Sequence, residues 1–130
     1  MKYREFKDII AAGEGVKVEF KRKLNKPEKI AKEICAFANT KGGVLLVGVD
    51  DDSSIVGIKS EKTEIDIIDK ACMFFIQPEI FPEYQIFEEN GKDILCVIID
   101  EGSKKPYKAI TEIDDSGNEH YQAFIRVGEN

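Results

Sequence analysis

"VKVEFKRKLNKPEKIAKEICAFANTKGGVLLVGVD", residues Val16 to Asp50, carries three periodicities in succession, and their order decides the fold. Val16, Val18 and Phe20 alternate with Lys17, Glu19 and Lys21, the two-residue period of a half-buried strand. Asn25, Pro27 and Glu28 then read as a helix start: a cap residue, a proline in the first turn and a glutamate three residues after the cap. Ile30, Ile34, Phe37 and Ala38 give that helix an apolar stripe, and Gly42-Gly43 breaks it. "VLLVGVD" has no alternation, the mark of a central strand covered on both faces. Strand, helix, strand in this order suits a right-handed parallel crossover.

Outward from this unit, Tyr3 to Ala12 reads as a short helix with Phe6, Ile9 and Ile10 on one face and Gly13 to end it. "DDSS" is a turn and "IVGIK" a returning strand, so residues 44–59 are expected to form a hairpin. Thr63 to Ile76 is the second main helix, with Ile65, Ile68, Cys72 and Phe75 on one face and Pro78 and Pro82 beyond its end. "YQIFEE" and "DILCVIID" flank "NG", the strongest short-range hairpin signal. "AITEI" and "QAFIRVG" form a further strand pair around "DDSGN". With no repeat, low-complexity segment or linker, residues 1–130 are expected to form one α+β domain. The sequence stops straight off a strand, as a piece cut from a longer protein would.

The 130 residues are 42% apolar and 34% charged, a globular composition. A chain of this size buries roughly two-thirds of its unfolded surface. No apolar run approaches the ~18 residues of a membrane span. "MKYREFKDII" lacks the apolar core of a secretory signal, so a cytoplasmic protein is expected. Cys35, Cys72 and Cys96 are far apart and form no CxxC pair, which reads as buried thiols rather than a disulfide framework or zinc site. The net charge of −6 argues against a uniformly basic nucleic-acid binder, yet it is unevenly spread. Residues 1–32 hold ten Lys/Arg against five Asp/Glu, whereas residues 83–101 hold six acids and the single base Lys92. Such asymmetry gives one face that attracts phosphates and another that repels them.

Glu19 and Lys21 share one strand face about 6–7 Å apart. A carboxylate and an ammonium so spaced resemble the E-x-K half of a metal nuclease, though exposed strands carry the same pair often. Glu14 would lie about 16 Å from Glu19 in a straight strand. Gly13 and Gly15 permit a turn that returns it. Asp50, Asp51 and Asp52 follow the buried strand directly, either as an acidic turn or as a ligand near the carboxyl ends of a parallel pair. Lys21, Arg22, Lys23, Lys26, Lys29 and Lys32 form a basic run against one acid, Glu28, and Lys104, Lys105 and Lys108 surround Pro106-Tyr107. Together the two clusters would grip several phosphates. "TKGG" has the elements of a phosphate loop in the wrong order, so ATP binding gets no support. His120 is the only histidine and sits in a polar loop, which offers no triad.

Three stretches, "EGVKVEFK" (14–21), "ICAFANTKGGVLLVGVDDDSSIVGI" (34–58) and "FIRVG" (124–128), resemble the Schlafen/AlbA-like DNA-binding domain family, once labelled divergent AAA. The resemblance implies an α+β fold with a mixed, largely antiparallel sheet and two main helices packed on it. It implies a partner in DNA or structured RNA and, in bacteria, a C-terminal regulatory region such as a winged helix, absent from this chain. Animal Schlafens cleave structured RNA with two glutamates of an E-x4-E-F-K motif and one aspartate of G-V-D-D. Residue by residue these fall on Glu14, Glu19 and Asp50, with Asp51 as the fallback and Lys21 completing the motif. In that case Mg²⁺ or Mn²⁺ is the implied cofactor, and a homodimer would supply the second lobe that those nucleases use.

Three functions follow as expectations. The first is a nucleic-acid-binding domain, with DNA as the favoured partner, in a bacterial transcriptional regulator. The second is a metal-dependent endonuclease using Glu14, Glu19 and Asp50. The third is a nucleotide-sensing or protein-interaction module.

Overall fold

The computed structural model describes residues 1–128. The crossover forms as its pattern dictates. Strand β1 (Val18–Lys21) leads into helix α2 (Pro27–Asn39) and then strand β2 (Gly43–Val47), and β1 pairs with β2 in parallel, Glu19 opposite Leu45 and Lys21 opposite Val47. Before them lies α1 (Tyr3–Ala12); after them come α3 (Glu61–Phe74) and strands β3 (Ile76–Gln77), β4 (Glu83–Glu89), β5 (Lys92–Ile99), β6 (Lys108–Ile113) and β7 (Glu119–Ala123). The strands divide into a mixed sheet, β1-β2-β5-β4, and a smaller antiparallel one, β3-β6-β7.

Alternation splits the core between the two faces of the larger sheet. Phe20, Leu46, Ile94 and Cys96 point to α1, where Phe6 stacks on Phe87 at 4.4 Å. Leu45, Val47, Leu95 and Val97 point the other way, onto Ile30, Ile34, Phe37 and Cys35 of α2 and Ile68 and Cys72 of α3. All three cysteines are buried free thiols, as expected. Gly43 is required by a close approach: a Cβ there would sit 2.5 Å from the Lys17 carbonyl and from the Phe37 ring. Asn90 and Gly91 both take positive φ, the turn that matches a hairpin's twist, so β4 and β5 pair as the sequence predicts.

Several expectations are corrected. Residues 44–59 are not a hairpin. Both edges of β2 are taken, by β1 and β5, and "IVGIK" forms no strand: it contributes an isolated bridge between Val49 and Ile55, bonds from the Val56 and Gly57 N–H groups to the Gly48 carbonyl, and one from Ile58 N–H to the Asp93 carbonyl. The cap of α2 is Lys26 rather than Asn25, its extended backbone being what a residue before proline adopts, and no side chain caps it. Helix α3 starts earlier, where the Ser60 side chain accepts a bond from the Thr63 N–H at 3.2 Å. The last strand ends at Ala123, and Phe124–Val127 leave the sheet as a strap across α2.

Asn39 joins these parts. Its Oδ1 accepts from the Tyr107 N–H at 2.7 Å, while its Nδ2 donates to the Tyr107 and Phe124 carbonyls at 2.8 Å each. One amide thereby ties the end of α2 to the start of the second sheet and to the strap. Replacing Asn39 with Ala strands the Tyr107 N–H and the Phe124 carbonyl and leaves the Tyr107 carbonyl only the Cys35 thiol, so stability should fall by about 3 kcal/mol. Asn39→Asp, which keeps only the acceptor, should lose nearly as much. Urea unfolding measures both, and a loss below about 1 kcal/mol in each would show that the amide is dispensable.

Candidate functional site

The polar residues of β1 meet α2 rather than open solvent. Glu19 and Lys21 lie in register with Leu45 and Val47 and therefore share their face of the sheet, beneath α2. There Lys21 Nζ pairs with Glu33 at 3.0 Å. Glu14 is returned by the turn its glycines allow: Gly13 takes φ 85°, Gly15 bridges to Val18, and Glu14 Oε1 accepts the Phe20 N–H at 2.9 Å. Glu14 and Glu19, separated in an extended chain, thus stand side by side. A pocket of about 500 Å³ is lined by Glu14, Glu19, Glu33, Lys32, Phe124 and Arg126, among others.

Arg126 is the residue that the sequence reading lacked. Its guanidinium donates to Glu19 Oε1 at 2.9 Å, to the Gly15 carbonyl at 2.8 Å and to the Val16 carbonyl at 3.2 Å. It lies 4.4 Å from the centre of the Phe37 ring, and its own N–H donates to Thr40 Oγ1 at 2.9 Å. The Glu19 and Arg126 side chains are only 17% and 15% exposed, so this is a shielded, multiply bonded ion pair and not a surface contact. Arg126 fixes the loop that carries Glu14. A lone arginine in "FIRVG", 107 positions from its partner, offers no local signal. Glu33 was missed because the basic run around it dominates the pattern.

Charge crowding marks the pocket. Burial raises the Glu14 carboxyl above its ordinary value, and Glu19 and Asp51 beside it push the same way against the pull of the Phe20 N–H. Burial likewise raises Glu33, in spite of Lys21. Burial opposes the charge of Lys21, but Glu33, Glu19 and Glu14 together raise it.

The aspartate of the expected three-carboxylate set stands apart. Asp50 is bonded to Arg22 at 3.0 Å and does not line the pocket, while Asp51 is near enough for its charge to reach Glu14. Among the described residues, no three His, Cys, Asp or Glu side chains are grouped closely enough to hold a metal ion. Glu19 is committed to Arg126 and Asp50 to Arg22, so the donors as placed do not fit Mg²⁺ or Mn²⁺.

All of the basic run but Arg22, which pairs with Asp50, is brought together. Lys21, Lys23, Lys26, Lys29 and Lys32 line one groove of about 320 Å³ along the first half of α2, with Glu33 as its single acid. Among the described residues, Lys23, Lys26, Lys29 and Lys32 make no ion pair; Lys32 instead approaches the Phe124 ring at 5.9 Å. The groove and the acidic pocket share Lys32 and Glu33, so they form one continuous trench. The second cluster does not join it. Lys105 pairs with Glu101 and reaches the Thr40 carbonyl at the far end of α2, about 20 Å away by helix rise. Lys104 and Lys108 are exposed on either side of buried Tyr107.

The raised Glu14 carboxyl sets a pH dependence. A carboxyl whose folded value lies above its unfolded one favours the fold below the unfolded value, here 4.5, and loses that contribution as pH rises through the folded value. Glu14→Gln keeps an acceptor for Phe20 and removes the charge. Its melting temperature should match the parent's near pH 4 and exceed it at pH 7–8. A deficit at neutral pH would show that the ionised carboxylate is favourable where it stands.

Comparison with known proteins agrees with this geometry. The N-terminal domain of a RecG-related protein from Nitrosomonas europaea, solved by NMR, superposes with a TM-score of 0.65 at 24% identity, covering 98% of this chain and 86% of that one. The DIP2311 protein from Corynebacterium diphtheriae superposes with a TM-score of 0.61 at 20% identity over 96% of this chain, which spans only 25% of that protein's length. At these identities the likeness establishes the α+β fold. The family model described as "Schlafen, AlbA_2" matches residues 14–130, from the first glutamate of the pocket through the strap. The chain belongs to the Schlafen AlbA_2 family.

Proposed function

We propose that the chain is a nucleic-acid-binding domain, with duplex DNA as its favoured partner, that holds the phosphate backbone in the lysine groove beside α2. The observation that carries this reading is the convergence of Lys21, Lys23, Lys26, Lys29 and Lys32 on one groove containing a single acid, in a chain of net charge −6. Four of these lysines have no carboxylate partner among the described residues, so their charge is available to phosphates. The similarity to a protein described as related to the DNA helicase RecG is in keeping with it. The neighbouring carboxylates suit a binding site as well. They repel a backbone that strays from the groove and so fix its register.

Phosphate contacts of this kind make binding steeply salt-dependent. Each lysine that neutralises a phosphate adds about 0.9 to the slope of log affinity against log salt. The variant carrying Lys23→Glu, Lys26→Glu and Lys29→Glu should reduce that slope by about 3 and abolish the mobility shift of duplex DNA at physiological salt. Unchanged affinity at low salt would remove the groove from consideration. The same gel run with an RNA stem-loop, in Mn²⁺ and in EDTA, decides a further point. A shift without cleavage is expected. Cleavage that needs Mn²⁺ and disappears in Glu19→Gln would overturn a binding-only role.

A further inference from the structure

A second cleft, of about 830 Å³, opens where the groove meets the start of α3. It shares Lys23, Leu24, Asn25 and Lys26 with the groove. Its rim adds Lys59, and its wall is apolar, from Val56, Ile58 and Ile67. Glu64 lines it from the first turn of α3 and is only 7% exposed. Its Oε2 is shut off from solvent and has no hydrogen-bond partner among the described residues. Burial raises its carboxyl against the pull of the Leu24 N–H and Lys23. A buried acceptor left unpaired is costly, and here it sits in a cleft otherwise ringed with cations.

Few ligands suit all three features. A bare phosphate would satisfy the lysines and be repelled by Glu64, while a metal cation or an amine would meet the lysine rim. An apolar molecule would leave both polar sets unmet. A nucleotide satisfies each: its phosphate meets Lys23, Lys26 and Lys59, the faces of its base meet Ile58 and Ile67, and an amino group on its base donates to Glu64. We propose that the cleft at the start of α3 is a nucleotide pocket in which a rotation of the Glu64 side chain, which lines the cleft, presents its unpaired oxygen to the amino group of an unpaired base. The proposal rests on the groove reading, since the shared lysines let a strand in the groove deliver that base. A free nucleotide presents the same chemistry. Adenine, cytosine and guanine carry the amino group; thymine and uracil offer a ring N–H between two carbonyls that the carboxylate repels.

The test compares the intact chain's affinity for three duplexes at one salt concentration: perfectly paired, with one bulged adenine, and with one bulged thymine. Free AMP and UMP form a parallel arm. The adenine bulge should bind about tenfold tighter than the other two, the factor of one hydrogen bond to a charged group. Glu64→Gln can keep its amide oxygen on the Leu24 N–H and turn an NH₂ toward the cleft. It should remove or reverse the adenine preference while leaving the paired duplex unaffected. Lys59→Ala, on the exposed rim, should narrow the same gap and serves if Glu64→Gln fails to fold. Equal affinity for all three duplexes would overturn the pocket and leave the groove standing. So would an adenine preference that survives Glu64→Gln and Lys59→Ala. AMP binding that Glu64→Gln abolishes, without binding of any duplex, would support the pocket and overturn the groove. No binding of any probe would overturn both.

Discussion

Two parallel neighbours cannot be joined by a tight turn, and the consequences of that constraint run through this structure. Val18–Lys21 and Gly43–Val47 are paired in parallel, so the chain between them must cross one face of the sheet, and it does so as the 13-residue helix Pro27–Asn39. That helix covers the face onto which Glu19 and Lys21 project. Two residues that an isolated strand would give to solvent are instead pressed beneath a helix edge, where they must find partners or lose their charges. Lys21 finds Glu33, on the helix itself. Glu19, whose neighbour Lys21 is engaged by Glu33, is matched from far along the chain, by Arg126.

Arg126 suits this place because a guanidinium can face several acceptors in one plane. It serves the Glu19 carboxylate and the Gly15 and Val16 carbonyls at once while its face lies on Phe37. A lysine would supply the charge without the fork or the stacking surface. Even so, carboxyls outnumber the cations that line the pocket: Glu14, Glu19 and Glu33 face Lys32 and Arg126, and two of the three carboxyls are pushed upward. Crowding of this kind persists because the crossover, the Asn39 amide and the strap over-determine the positions of the groups.

How much of this could be read in advance follows from the range of each interaction. The crossover, the Asn90-Gly91 hairpin, the ends of α1 and the buried thiols are encoded within a few residues of where they appear, and they were legible. The expected hairpin over residues 44–59 was not formed, because a strand's choice of neighbour depends on competitors: the antiparallel partner of β2 is Lys92–Ile99, some fifty residues on, and nothing in "VLLVGVDDDSSIVGIK" announces it. The pairing of Glu14 with Glu19 was legible as a possibility of the glycines, since a turn was the only way to join them. Asp50 does not line the pocket, for a physical reason. Parallel strands bring their carboxyl ends together, but Glu19 sits within β1, two positions before its last residue, and its side chain faces α2, while Asp50 lies three positions beyond β2, where Arg22 holds it. Glu64 was invisible to sequence reading, as an acid in a helix's first turn is ordinary and only burial makes it notable.

The acidity of the whole chain raises an objection to any anionic partner, and distance answers it. Half of the acids in residues 83–101 belong to β4, where Glu83, Glu88 and Glu89 lie at the opposite edge of the sheet from β1. Three strand spacings separate those edges, about 14 Å, which exceeds the ~8 Å over which charges act at physiological ionic strength. A phosphate in the lysine groove therefore responds to the charges beside α2, and these are positive. The acidic edge acts only at longer range and low salt, where it disfavours approach from the wrong side. Net charge thus describes how the molecule turns as it meets a polyanion, and the local field of the trench decides whether it stays.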